Sequence, residues 1–300
     1  VPAVGQGEND MRVYEAGEEF LLVELSPDMR LKSSLVAIAV AKALTAADVP
    51  GMIEAYPTNA SLLIRFDPEI LGHDEVTRLV QEHVEAEQAR SSFRLQTRVI
   101  EVPVWFDDPE THEVAMRFRS GHQDPSGDDL DFAARVNGLD GRKEFIERYY
   151  GAPWFVSVVG FVAGLPELFQ ITDRRNQLQV PKYLRPRTDT PPLSLGHGGA
   201  FGAIYSVRGG GGYQLIGMCA APIFDPQQQY EDFADSPVLF RAGDIVRYRP
   251  VDEDEFGDLR RSVSAGAFRY RTSPFEFDLN RFTDDTSGYA REINEVIAHD

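Results

Sequence analysis

The sequence predicts an α+β chain in two parts: a ferredoxin-like βαββαβ subdomain over residues 11–100, followed by an all-β barrel or sandwich over 101–255 with a helical insert at 110–150. Two observations carry this prediction. In the first part, apolar periodicity switches between two and 3.6 residues in the order β, α, β, β, α, β, which is the split βαβ order, each crossover helix covering one face of a small sheet. After Pro153 the chain changes to short β-rich runs separated by turn residues: WFVSVVGFVAGL, GAIYSVR, GYQLIGMC, PVLF and DIVRYRPV.

Each element has its own signal. Glu19–Leu25 (EFLLVEL) reads as a strand, and Ser33–Val49 as a helix with Ser33 or Ser34 as cap, stopped by Pro50 and Gly51. Met52–Tyr56 and Ser61–Phe66 are strands joined through PTNA, a hairpin composition. His73–Arg90 is amphipathic, with Val76, Leu79, Val80 and Val84 on one face. Arg94–Phe106 alternates as a strand. Asp107–Tyr150 holds helical patches broken at Gly121, Pro125 and Gly127; Asp128, Asp129 or Asp131 can open DFAARVNGL, and Gly141 separates it from RKEFIERYY. Residues 256–300 form a tail in which Ser287 can cap a short helix.

Composition narrows the function classes. The chain has 48 acidic against 30 basic residues, a net charge of −18, so its mean field repels nucleic acid and anionic lipid. The single cysteine, Cys219, allows no intramolecular disulfide and no thiolate zinc cluster, which makes the cytoplasm the expected compartment. The first residues lack signal-peptide character and no stretch approaches the roughly 20 apolar residues of a membrane span, so no membrane role is expected. Histidines are scattered singly without H-x-x-x-H or H-E-x-x-H spacing, so no metal is expected.

Candidate chemistry concentrates at residues 181–217, where cations, tyrosines and glycines crowd together in an acidic chain. Lys182, Arg185 and Arg187 sit among Pro181, Pro186, Pro191 and Pro192, and stiff cations suit anion recognition as readily as they suit a solvated loop. The glycines at 209–212 match neither a phosphate loop nor a dinucleotide fingerprint; between strands they read as a turn or a close backbone approach. His197, in GHGGAF, is either a substrate contact or a turn histidine. Asp107 and Asp108 follow a strand, where carboxylates often serve function, yet Asp-Asp-Pro is equally an ordinary helix start.

PKYLRPRTDTPP, GGAFGAIYSVRGGGGYQLIG, VPVWFDD and DFAARVNGL together resemble the carboxyltransferase region of urea carboxylase. More loosely, the chain resembles the allophanate hydrolase subunit 1, or KipI-like, family, which includes a subunit of 5-oxoprolinase. The likeness runs over about residues 11–255 and departs at GFVAGLPEL (Gly160–Leu168), where the broader family has G-F-x-P-G-F-x-Y-L, and at Gly210, which replaces a proline. These departures leave the urea carboxylase branch nearest.

The resemblance implies that the second part is a cyclophilin-like β-barrel and that the chain is half an enzyme, completed by an allophanate hydrolase subunit 2 family chain. It implies carboxyl transfer from carboxybiotin to urea or a related small amide, the donor being charged by a biotin carboxylase and carried on a biotin carrier. No cofactor is expected to be bound covalently, since the sequence has no MKM biotinylation motif. On this reading Lys182 and Arg187 stabilise negative charge, and Tyr183 or Tyr205 relays a proton. Asp107 or Asp108 holds the acceptor's NH2 groups. His197, Gly198, Gly199, Gly211, Gly212 and Gln214 contact substrate. The same family implies two alternatives, a KipI-like kinase-inhibiting regulatory subunit or a 5-oxoprolinase component.

Overall fold

The computed structural model describes residues 11–297. The chain divides into two compact units, one reaching Leu95 and including Asp278–Asn280, the other comprising Gln96–Phe277 and the residues from Arg281 on.

The first unit contains β1 (Arg12–Glu15), β2 (Phe20–Glu24), α1 (Leu31–Ala46), β3 (Met52–Pro57), β4 (Ser61–Phe66) and α2 (His73–Gln88). Its sheet is antiparallel in the order β1-β2-β4-β3. Alternation along β2 and β4 buries Leu21, Val23, Leu62, Ile64 and Phe66, while the helices bury Leu35, Ile38 and Leu44 from α1 and Val76, Val80 and Val84 from α2. Ser33 and Ser34 do not cap α1, which starts after Arg30 without a side-chain cap; Ser34 donates its hydroxyl to the Asn59 carbonyl instead.

One strand is placed differently from the sequence expectation. The position beside β2, which the strand after α2 would fill in a βαββαβ unit, is taken by β1. The predicted fourth strand, β5 (Arg94–Phe106), passes at Leu95/Gln96 into the second unit. The cause is burial on both sides: Val99 to Val104 are buried without interruption, a pattern that needs cover on both faces rather than the one face of a small sheet.

The second unit continues with α3 (Pro109–Arg117), α4 (Asp129–Val136), α5 (Arg142–Gly151), β6 (Trp154–Val159), β7 (Pro166–Gln170), β8 (Arg187–Thr190), β9 (Ser194–Gly198), β10 (Phe201–Ile204), β11 (Gly209–Gly211), β12 (Gln214–Cys219), β13 (Ile245–Pro250), α6 (Glu253–Ser264) and β14 (Thr272–Asp278). Two further helices, α7 (Leu279–Asp284) and α8 (Thr286–Val296), follow; Asp285 rather than Ser287 caps α8, accepting from the Gly288 amide.

Seven strands run β12-β9-β10-β7-β6-β13-β5 and close because β5 also pairs with β12. Only the β13–β5 pair in this ring is parallel. β14 adjoins β5 outside the ring, and β8 and β11 form a separate two-stranded ribbon. The core gathers Ile100, Val102, Val104, Trp154, Val156, Leu195, Ile204, Ile216, Met218 and Tyr248 with Phe132, Phe145 and Tyr149 from the helical insert. Cys219 is buried in it, and burial pushes its thiol well above the usual range, which keeps it unreactive. Among the described residues, no helix is long and apolar enough to cross a membrane and no cluster of side chains could hold a metal ion.

Candidate functional site

A cavity of about 530 Å³ opens beside the β8–β11 ribbon. Its walls are Phe161, Val162, Leu165 and Glu167 around the β6–β7 turn, Lys182, Tyr183 and Pro186 ahead of β8, Ala203, Tyr205 and Val207 around β10, and the run Arg208–Tyr213. Of the residues singled out by sequence, Lys182, Tyr183, Tyr205, Gly211 and Gly212 meet here. Two glycines are required by rings rather than by a ligand. A Cβ on Gly211 would overlap the Tyr205 ring and hydroxyl, and one on Gly198, in β9, would overlap the Tyr213 ring. Gly209, by contrast, faces open space, and a Cβ on Gly212 would make only ordinary contact with Pro186.

Lys182 is exposed, with Nζ 4.9 Å from the centroid of the Tyr213 ring, a cation–π contact. Among the described residues no carboxylate forms an ion pair with it. Arg187 has the opposite environment. It is 1% exposed and lies behind the cavity wall. Its Nη1 donates to the Tyr213 carbonyl at 2.7 Å, Nε to Thr190 Oγ1 at 3.2 Å and Nη2 to the Tyr205 hydroxyl at 3.4 Å, while its guanidinium carbon stands 4.8 Å from the Tyr183 ring centroid. Arg187 therefore fixes three tyrosines and does not itself line the cavity.

Beneath the wall is a buried polar network that sequence reading missed. Asp129, 2% exposed, accepts from the Tyr183 hydroxyl at 2.6 Å, from Arg119 Nη1 at 2.6 Å and from the Leu215 amide at 2.8 Å. Burial, followed by the Asp129 charge, raises the Tyr183 pKa, so this hydroxyl stays protonated and committed to the carboxylate. His122 lies edge-on to the rings of Phe132 and Tyr183, both at 4.6 Å. The Asp124 amide donates to its Nδ1 at 2.8 Å, which places the ring proton on Nε2 facing Gln214 Oε1 at 2.9 Å; Gln214 Nε2 then donates to the Pro181 carbonyl at 2.8 Å. Gln214 thus holds the backbone just before Lys182. The available signal was DDLD at 128–131, which offers more carboxylates than one helix cap needs.

The remaining candidates stand elsewhere. Asp108 caps α3, its Oδ1 accepting from the Thr111 amide at 2.9 Å, and burial raises its pKa. Asp107, at φ 55°, pairs with Arg142 at 3.0 Å, and Arg142 also holds Asp128 and Asp131. Gly199, at φ 63°, pairs its backbone with Val180. His197 is fully buried, with Nε2 3.1 Å from the Leu178 carbonyl.

Burial lowers the His197 pKa from 6.5 to about 4. Between these values the unfolded chain binds a proton that the fold excludes. Stability is therefore complete above pH 6.5 and falls as pH drops toward 4, by about 3 kcal/mol in all. Denaturant midpoints measured from pH 7.5 to 4.5 should show this fall, and His197→Gln should flatten it relative to the unmodified chain.

Comparisons with known proteins bear on the family and the fold. The family model "Carboxyltransferase domain, subdomain C and D" matches residues 11–234. The chain is 31% identical over 244 residues to a 5-oxoprolinase subunit of Escherichia coli O157:H7, covering 81% of this chain and 97% of that one. It is 25% identical over 273 residues to the urea amidolyase of Saccharomyces cerevisiae, of which it spans only 15%. The crystal structure of the K. lactis urea amidolyase shares the fold, with a TM-score of 0.82 at 23% identity, over 99% of this chain and 19% of that one. The extent of the family match and the near end-to-end alignment with the bacterial relative place the chain in the carboxyltransferase domain family, subdomain C and D.

Proposed function

We propose that this chain is one subunit of a two-part cytoplasmic enzyme that transfers a carboxyl group from carboxybiotin to urea or a related amide. One observation carries the reading: a cation without a counter-ion among the described residues, Lys182, stands at the wall of a roomy cavity with tyrosine rings and open glycine backbone. The volume of about 530 Å³ and the Tyr205 and Tyr213 rings fit a flat bicyclic urea derivative. Carboxybiotin, when bound, supplies an activated carboxyl group. The chain's own residues hold and shelter it. Lys182 would supply positive charge where negative charge develops on the donor as the carboxyl group leaves it. Tyr205 accepts from Arg187, and burial raises its pKa, so its own proton is retained for donation to a ligand. Phe161, Val162 and Val207 reduce access of water. An allophanate hydrolase subunit 2 family chain completes the site, and a biotin carboxylase and biotin carrier deliver the donor.

The 31% identity across 97% of a protein named as a 5-oxoprolinase subunit favours a second reading, a component of a 5-oxoprolinase. Co-expression with the subunit 2 chain separates the two. Urea-dependent consumption of carboxybiotin is the expected result, with Lys182→Ala lowering kcat by about 10²- to 10³-fold, the scale of one lost transition-state charge contact. Turnover of 5-oxoproline instead would establish the second reading, and neither complex nor turnover would overturn both.

A further inference from the structure

Phe161 combines two features that packing does not account for. Its side chain is the most exposed of the large apolar ones among the described residues, at 86%. Its φ of 69° lies in the left-handed region, which an aromatic residue rarely adopts. Leu193 has the same φ, but its side chain is buried in the barrel core, and that burial offsets the strain. Phe161 gains no such burial. A bulky residue kept in this region by its surroundings points to a function.

The surroundings that hold it lie in the turn between β6 and β7. The Gly160 amide donates to the Leu165 carbonyl at 2.9 Å, and the Leu165 amide to the Val162 carbonyl at 3.2 Å. Val162 packs on the cluster that contains Leu165, Ala203, Tyr205 and Tyr213. Ser206 donates its hydroxyl to the Ala163 carbonyl at 2.6 Å, and Gly164, at φ 74°, lies so near Phe224 that a Cβ would overlap that side chain. The backbone on either side of Phe161 is thus fixed, and its exposed side chain is the part that can turn, on a scale of picoseconds to nanoseconds. Phe161 also lines the cavity, so its ring stands at the mouth.

We infer that Phe161 is the cover of this cavity: its ring turns onto a planar ligand lying among Tyr205 and Tyr213 and shields it from water, while the backbone stays in place. Ring and ligand then lose apolar hydration together, which stabilises the closed position only when a ligand is present. The choice of probe below rests on the carboxyl-transfer reading; the strained and exposed ring does not.

Biotinamide, an uncharged bicyclic urea, is the probe. Its affinity is measured by calorimetry or ligand-observed NMR for the full chain, and again for the complex co-expressed with the subunit 2 chain. Phe161→Asn removes the ring and still accepts the left-handed region, so the affinity is expected to fall about tenfold, the scale of one lost aromatic contact, with no fall in the unfolding midpoint. Phe161→Tyr keeps the ring and should bind within about twofold of the unmodified chain. Phe161→Gly accepts the same φ and repeats the comparison, so poor folding of the asparagine variant alone does not shield the inference. Undetectable binding to the unmodified chain and complex, unchanged affinity without the ring, a midpoint lowered in both ring-less variants, or failure of Phe161→Tyr to bind each overturn it. Loss of the complex with affinity unchanged would make the ring a partner contact and overturn it as well. Urea-dependent turnover with a biotinamide affinity indifferent to Phe161 would overturn the cover alone; the expected fall in affinity without turnover would overturn carboxyl transfer alone.

Discussion

Replacing Asp129 by alanine is expected to lower the unfolding free energy by about 3–5 kcal/mol, the range for removing one partner of a buried ion pair. The loss has three parts. Arg119, 6% exposed, keeps its charge without its carboxylate; the Tyr183 hydroxyl and the Leu215 amide lose their acceptor. None of these groups reaches water readily, so the desolvation already incurred is no longer offset. Asp129→Asn preserves the volume and removes the charge, so the difference between the two variants divides the loss between electrostatics and space. Urea-induced unfolding of the full chain gives both values; a loss below about 1 kcal/mol for Asp129→Ala would show that the network beneath the cavity is not what holds it.

Gly198→Ala is expected to cost about 1–3 kcal/mol, the usual penalty of overpacking, although alanine for glycine normally stabilises an unstrained site. The added Cβ falls on the Tyr213 ring, and that residue is held from behind by Arg187 on its carbonyl, so it cannot retreat freely. Gly211→Ala drives a Cβ into Tyr205 in the same way and displaces the ring toward the cavity. Binding of any planar ligand should weaken more than stability does. Gly209→Ala is the matched control, because nothing lies within 4 Å of its Cβ position; its unfolding midpoint should match that of the unmodified chain.

The elements legible in the sequence were those with a clean period. Ser61–Phe66 and Arg94–Phe106 coincide with observed strands, and the helices expected at 33–49 and 73–90 differ at their ends by only a few residues. RVYE at Arg12–Glu15 gives no such signal, because an edge strand half open to solvent carries polar residues at the positions that periodicity would count. The closeness of Lys182, Tyr183, Tyr205, Gly211 and Gly212 was legible because they share one short stretch joined by turns. The supports of that stretch were not. Asp129 lies 54 residues from Tyr183, and His122 lies 92 from Gln214, and no local pattern marks which carboxylate or imidazole will be buried. Arg187 shows the same limit: a proline-bounded loop with three cations gives no sign that one of them is enclosed by tyrosines.

Closure of the seven-stranded ring through β5 and β12 also governs how this chain meets other copies of itself. A closed ring offers no unpaired row of backbone donors and acceptors, so strand-on-strand aggregation has to begin at an outer strand. Among the described residues these outer strands are β1 and β3 in the first unit and β14 and the ribbon in the second. Each carries an obstacle to growth: Arg12 and Glu15 in β1, Glu54 and Pro57 in β3, Pro274 and Glu276 in β14, and only three or four residues in each ribbon strand. The apolar strands of the second unit are thereby sealed within the ring, β2 and β4 of the first unit lie inside their own sheet, and the strands left open to growth are short, charged or proline-bearing.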